Sequence, residues 1–166
     1  HRCGQMEAAR ACQANEPQVI LESAPARHLL FEPVNAPYTL KEISIATKKC
    51  FAEAFKKHLP IFFQSGVIVP LERIRQGHYT QASTAFLPIE PTDQAKNIQA
   101  MPAGKCAAIY HVGDYLSIGR SYEKLLSYCQ THNLEIISDS YEFCINDYIT
   151  KRDENEYITK LLFYVK

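Results

Sequence analysis

The chain has 166 residues, 46% hydrophobic and 22% charged, which suits one soluble domain with its own core, is rather short for two domains, and is not the composition of a disordered chain. Eighteen Lys and Arg balance eighteen Asp and Glu. With no basic excess to neutralise a phosphate backbone, direct nucleic-acid binding by this chain is not expected.

In chain order, residues 5–15 (QMEAARACQAN) are helix formers without an apolar face of their own, read as the remnant of a linker helix or a tail over residues 1–16. Pro17 ends that segment. The first residue is His, so the chain is expected to start inside a longer protein or behind a trimmed tag, with Met6 as the native start. Residues 18–23 and 27–33 read as strands around an Ala24-Pro25 turn. Over residues 39–58 the apolar period becomes helical, with Ile43, Ala46, Cys50, Phe51, Ala54 and Phe55 on one stripe. Residues 66–74 read as a strand interrupted by Pro70, which suggests an edge or a bulge. A further strand is expected over 80–89, then a polar linker over 90–97. The second half repeats the order: strands within 97–112, a helix over 115–132, a strand within 134–148, a charged loop at 150–156 and a last strand at 157–165.

Pro25-Ala26 precedes Tyr38 by the same interval as Pro102-Ala103 precedes Tyr115, and each tyrosine stands just before the helix of its half. Two strand-strand-helix-strand-strand units, over about 17–90 and 97–166, predict one α+β domain over 17–166. Its sheets should be antiparallel, its helices packed on one side, and its halves related by a pseudo-twofold.

The six cysteines, Cys3, Cys12, Cys50, Cys106, Cys129 and Cys144, include no CxxC pair and several sit in apolar periodic segments. They read as reduced, buried thiols of a cytoplasmic protein. No apolar run is long enough to span a membrane, and no secretory signal is present. Phosphate-binding glycine loops, HExxH and GxSxG are absent, and the six histidines lack metal-ligand spacing, so neither metal nor cofactor is expected. His111, in IYHVGDY, is the one histidine that stands out; on base rates it is a histidine at a strand end without a ligand role.

The chemistry of interest lies in SDSYEFCINDY, residues 138–148. On a strand, Tyr141, Phe143 and Ile145 share one face and Glu142, Cys144 and Asn146 the other. From the residues alone two readings stand. Glu142 is on a wet face, paired with Lys151, Arg152 or Lys160; or it is buried in a pocket. Ten tyrosines and eight phenylalanines, with eight of the tyrosines at or after residue 110, supply aromatic faces. Aromatic rings around a carboxylate suit a lipophilic cation, because the ring quadrupole and the anion attract the same charge.

SDSYEFCINDYITKRDENEYITKLLFYV resembles the C-terminal end of the effector-binding domain of MerR-family multidrug-binding transcription regulators, within the GyrI-like small-molecule-binding superfamily. Upstream, MPAGKCAAIYHVGDYLSIGRSYEKLLSYCQTHNLEIISD is similar to that family's turn, strand, helix and final hairpin. The resemblance is good over about 97–166 and rests on the pattern of elements over 17–90. It implies that Glu142 contacts a cationic ligand, that Tyr157 lines the pocket, and that Cys144 stands where the family carries an aliphatic residue. The remaining pocket residues of the family come from the first helix and the strand after it, where Phe51, Phe55, Tyr38 and Tyr79 are the aromatics on offer; Tyr110 completes the expected ligand-binding set.

The reading is thus a ligand-sensing module of a transcription regulator, or a stand-alone relative, that binds lipophilic, cationic aromatic molecules between two pseudo-symmetric halves. No helix-turn-helix precedes residue 17, so DNA contact would come from an attached domain; a homodimer is a further option. The rival expectations are a small hydrolase of reactive electrophiles using Glu142 and Tyr157 as base and acid, and an inhibitor that binds a protein partner.

Overall fold

The computed structural model describes residues 17–62, 64–146 and 157–166; the expected helix at 5–15, Cys3, Cys12 and the charged loop at 150–156 lie outside them. The elements are β1 (Ile20–Ala24), β2 (Arg27–Pro33), α1 (Leu40–Lys56), β3 (Gly66–Val69), α2 (Leu71–Arg75), β4 (Thr84–Ile89), β5 (Ile98–Met101), β6 (Gly104–Val112), a single 3₁₀ turn (Tyr115–Ser117), α3 (Gly119–Thr131), β7 (Ser140–Asn146) and β8 (Ile158–Tyr164). All strands join one curled sheet in the order β1-β6-β8-β7-β3-β4-β2-β5, and every pairing is antiparallel.

That order is symmetric under exchange of the two halves. β1, β2, β3 and β4 map onto β5, β6, β7 and β8, and each half places its first strand on the outer edge of the other: β1 pairs β6, and β5 pairs β2. The pseudo-twofold axis therefore runs between β3 and β7, where Val67 stands opposite Glu142. The duplicated α+β unit expected from the sequence is the fold.

Strand alternation sorts the core into layers. On the helix side, α1 rests Ala46, Cys50 and Ala54 against Leu30, Ala85 and Leu87. The small residues let the helix come close, with Cys50 Sγ 3.6 Å from the Ala85 carbonyl. α3 packs Tyr122, Leu125 and Cys129 on Ala107, Ile109, Leu161 and Phe163. The opposite face carries Phe86, Tyr141, Phe143, Leu162 and Tyr164, buried against one another by the curl of the sheet. Cys50, Cys106 and Cys129 are buried free thiols. Leu161 is fully buried beneath α3. Leu161→Ala is expected to cost about 2–5 kcal/mol, read as a lower urea midpoint at unchanged slope.

Pro70 acts differently from expectation. β3 lies mid-sheet between β7 and β4, where a missing N–H cannot be spared, so the strand stops at Val69. Pro70 then starts α2, whose first N–H, from Leu71, donates to Asp139 Oδ1 at 2.9 Å. The strand expected from residue 80 begins at Thr84. Among the described residues, no helix is long and apolar enough to cross a membrane.

Candidate functional site

The register places one row of side chains across the middle of the helix-facing side: Ala85 on β4, Val67 on β3, Glu142 on β7, Leu161 on β8 and Ile109 on β6. Glu142 is the carboxylate in that apolar row, 2% exposed, in the groove between α1 and α3. A buried carboxylate is costly unless donors reach it. Two tyrosines do. Tyr115 donates its phenol to Oε1 at 2.9 Å, and Tyr122 donates to Oε2. Ser140 Oγ, two residues back on the same face of β7, lies 2.8 Å from the Tyr122 hydroxyl and supplies the hydrogen that the phenol oxygen accepts.

The sequence around these tyrosines explains their aim. Asp114 caps the 3₁₀ turn by accepting the Ser117 N–H at 2.9 Å, which fixes Tyr115 at the threshold of α3. Tyr122 follows seven residues later, two helical turns along the same face. The ring of Tyr79 stacks on Tyr122 with centroids 5.7 Å apart, and Phe163 packs on it at 6.2 Å. Tyr79 fits there because residue 119 is glycine: a Cβ would meet the Tyr79 ring at 2.6 Å.

Burial pushes the Glu142 carboxyl up to about 7, and the hydrogen bonds from Tyr122 and Tyr115 pull the other way. Both phenols are held well above their usual range, first by burial and then by the nearby carboxylate, so they remain protonated donors. Among the described residues, no Lys, Arg or His forms an ion pair with Glu142. The site is therefore a carboxyl group poised near neutrality, with phenol donors and, among the described residues, no ion-pair partner.

Above Glu142 opens a cavity of about 230 Å³. Its floor is Ser65, Gly66 and Val67 of the β3 region with Glu142 and Cys144 of β7. Leu40, Ile43 and Thr47 of α1 form one wall, and Tyr115 and Thr159 complete it. Pro25 and Pro102 are 77 residues apart; so are Ser65 and Glu142, and so are Val67 and Cys144. Both pairs line the cavity, as they must if it sits on the pseudo-twofold axis. The charge is on one half only.

Of the residues expected from the sequence, Glu142 and Cys144 line this cavity and four do not. Tyr110 projects from the opposite face of the sheet, with Lys160 Nζ 5.6 Å above its ring, because alternation along β6 sends Ile109 and Tyr110 to different sides. Phe51 packs into the α1 cluster, and Phe55 is 60% exposed one turn further on. The helix presents its N-terminal half instead, with Leu40, Ile43 and Thr47 at i, i+3 and i+7. Tyr157 accepts the Gly113 N–H with its carbonyl beside β8, and its side chain is not among the lining. The lining of this cavity is thus aliphatic and hydroxylic, with Tyr115 as its one ring among the described residues. Tyr115 and Tyr122 were legible only as residues of the second helix; their seven-residue spacing is the signal that both face one way.

The site and fold can be set beside known proteins. No curated protein matches the chain. Among solved structures, the EcmrR C-terminal domain superposes with a TM-score of 0.77 at 18% identity, covering 90% of this chain and 97% of that one. EcmrR in a DNA complex gives 0.76 at 17% identity; this chain, 99% covered, spans 63% of that one. SAV2435, solved with tetraphenylphosphonium bound, gives 0.58 at 14% identity over 90% of this chain and 94% of the other. A protein of Listeria innocua described as a hydrolase also gives 0.58, at 10% identity over 96% and 97%. At such identities these likenesses concern the fold. The GyrI-like small molecule binding domain model matches residues 17–166, and to that family the chain belongs.

Proposed function

We propose that this chain is the ligand-sensing module of a transcription regulator, or a stand-alone relative, and that it binds compact lipophilic cations in the groove between its halves. The observation that carries this reading is Glu142: a fully buried carboxyl, hydrogen-bonded by phenols, at the floor of an apolar cavity and without a cationic side chain beside it among the described residues. A cation entering the cavity supplies the missing charge, while Leu40, Ile43 and Val67 bury its apolar surface. Charge is read by the carboxylate and the two phenols more than by ring faces. Drug-sized ligands occupy cavities of roughly 300–1,000 Å³. A cavity of about 230 Å³ thus favours one compact cationic group, or the head of a longer molecule. Tetraphenylphosphonium in SAV2435 is in keeping with a cationic ligand for this fold. In an intact regulator, ligand would act by differential affinity for two arrangements of this domain and an attached DNA-binding domain.

The test is a fluorescence titration with a compact aromatic dye cation and a neutral dye of similar shape, at pH 8 and pH 5.5. The cation should bind at pH 8 and lose about tenfold or more at pH 5.5, where Glu142 is protonated; the neutral dye should bind less well at pH 8 and lack this dependence. Binding of neither dye, or cation binding indifferent to pH, would overturn the proposal. A second reading, a hydrolase of small electrophiles, is favoured by one contact: Tyr115 places an acid directly on Glu142 in the same cavity. It would pair Glu142 with Tyr115 in place of Tyr157, and it predicts turnover of a reactive electrophile lost in Tyr115→Phe.

A further inference from the structure

His111 is 2% exposed, at the end of β6 on the helix side of the sheet. Its ring spans the gap between β6 and the segment leading into α3. Nδ1 is 2.7 Å from Ser121 Oγ; Nε2 is 2.9 Å from the Asp114 carbonyl oxygen and 3.0 Å from Ser117 Oγ. A carbonyl oxygen only accepts, so Nε2 carries the hydrogen and Nδ1 accepts from the Ser121 hydroxyl. Burial holds the imidazole below its usual pKa, against a smaller opposing effect of the Asp114 hydrogen bond, which keeps that neutral tautomer. Arg120 and Asp114 are the charged groups that act on it.

The atoms the ring holds are those that shape the turn carrying Tyr115. Asp114 accepts the Ser117 N–H, and Ser117 Oγ donates back to the Asp114 carbonyl at 2.8 Å. Gly113, at φ 126°, makes the reversal into this turn in a backbone region that L side chains rarely adopt. Tyr115 lies between the two residues that His111 bridges, and its hydroxyl ends on Glu142 Oε1.

We propose that His111 is a positioning residue for the ligand site: its ring clamps the Asp114–Ser117 turn and so holds the Tyr115 phenol on Glu142. Its bearing on ligand affinity rests on the cation-binding reading; the clamp itself does not. Without the ring the turn loosens, Glu142 Oε1 loses its donor, and the carboxyl keeps its proton to higher pH. The other groups facing Glu142 are Tyr122 from α3 with Ser140 behind it, and Cys144 and Thr159 around the cavity, Thr159 standing cross-strand from His111.

The experiment is a carbon-13 carboxyl NMR titration of the full chain without ligand, the Glu142 signal being the one absent in Glu142→Gln. His111→Leu should raise the Glu142 midpoint by about half a pH unit or more, and Tyr115→Phe should do the same. In the double variant the two shifts should not add, since both remove the same hydrogen bond. His111→Gln, which keeps an N–H donor near the Nε2 position, should return the midpoint toward the wild-type value. Ser121→Ala, which removes only the far-side donor, gives a smaller shift of the same sign and serves if His111→Leu does not fold. An unchanged midpoint in folded His111→Leu or Ser121→Ala, or additive shifts, would overturn the clamp. Absence of dye-cation binding to the wild type would sink the ligand reading and leave the carboxyl midpoints to decide the role of His111.

Discussion

Glu142→Gln should weaken binding of a dye cation at pH 8 by about ten- to a hundredfold, the equivalent of about 1–3 kcal/mol for a lost buried charged contact, while binding of the neutral dye changes little. The same substitution should stabilise the ligand-free protein. Between pH 4.5, the ordinary carboxyl value, and about 7, the folded chain retains a proton on Glu142 that the unfolded chain has released. Folding takes up a proton in that window, so the contribution of this group to stability falls as the pH rises through it and is at its lowest above about 7. The displacement corresponds to roughly 3 kcal/mol at full development. Thermal melts should therefore show Glu142→Gln raising Tm at pH 8 by several degrees and much less at pH 5. A variant that loses affinity and gains stability together is what a group retained for binding produces. Loss of both together would make Glu142 a structural residue and would argue against the site.

Gly66→Ala should be the most damaging single methyl in the protein. Gly66 sits in β3 between Phe86 of β4 and Phe143 of β7. A Cβ there would lie 2.2 Å from the Glu142 carbonyl oxygen and 2.3 Å from the Phe86 ring. Neither obstacle is the free end of a flexible chain: one is backbone in mid-sheet, and the ring is locked edge-on to Phe143 with centroids 5.3 Å apart. Overpacking of this kind costs about 3 kcal/mol or more, and for a chain of this size that lowers Tm by roughly 6–12 °C. The shift must also move the Glu142 backbone, so the folded fraction of Gly66→Ala should bind the dye cation less well than the wild type. A variant with wild-type Tm would mean that β3 and β7 are farther apart than the register implies.

The elements of the fold were legible because each carries its own period. Alternation in QVILES and RHLLFEP, the helical stripe from Ile43 to Phe55, and the turn chemistry of the two Pro-Ala dipeptides are local signals. Glu142 was legible as an exception, a carboxylate within an aromatic strand. Its surroundings were not. Which face of β6 looks toward Glu142 depends on pairing through β8, and that register placed Tyr110 on the wrong side. Which half of α1 overhangs the floor depends on how the helix lies on β2 and β4; the sequence marks the aromatic half at Phe51 and Phe55, but Leu40, Ile43 and Thr47 reach the cavity. Pro70 in a strand pattern suggests an edge or a bulge, whereas the place of β3 in the middle of the sheet is a tertiary fact.

The exchange of first strands has a consequence for how the molecule holds together. β1 forms its whole ladder with β6, and β5 forms its ladder with β2, so neither half owns a complete sheet. A single protease cut in the 90–97 connection would yield two fragments that each leave an edge bare and each carry the strand that covers the other's. Such fragments are built to complement one another as a noncovalent pair. Before the two halves were joined, the same geometry would have made two copies of one half a strand-swapped dimer, with its central groove shared between subunits. In the present chain the linker turns that association into an intramolecular one, and frees one side of the groove to carry a charge that its counterpart lacks.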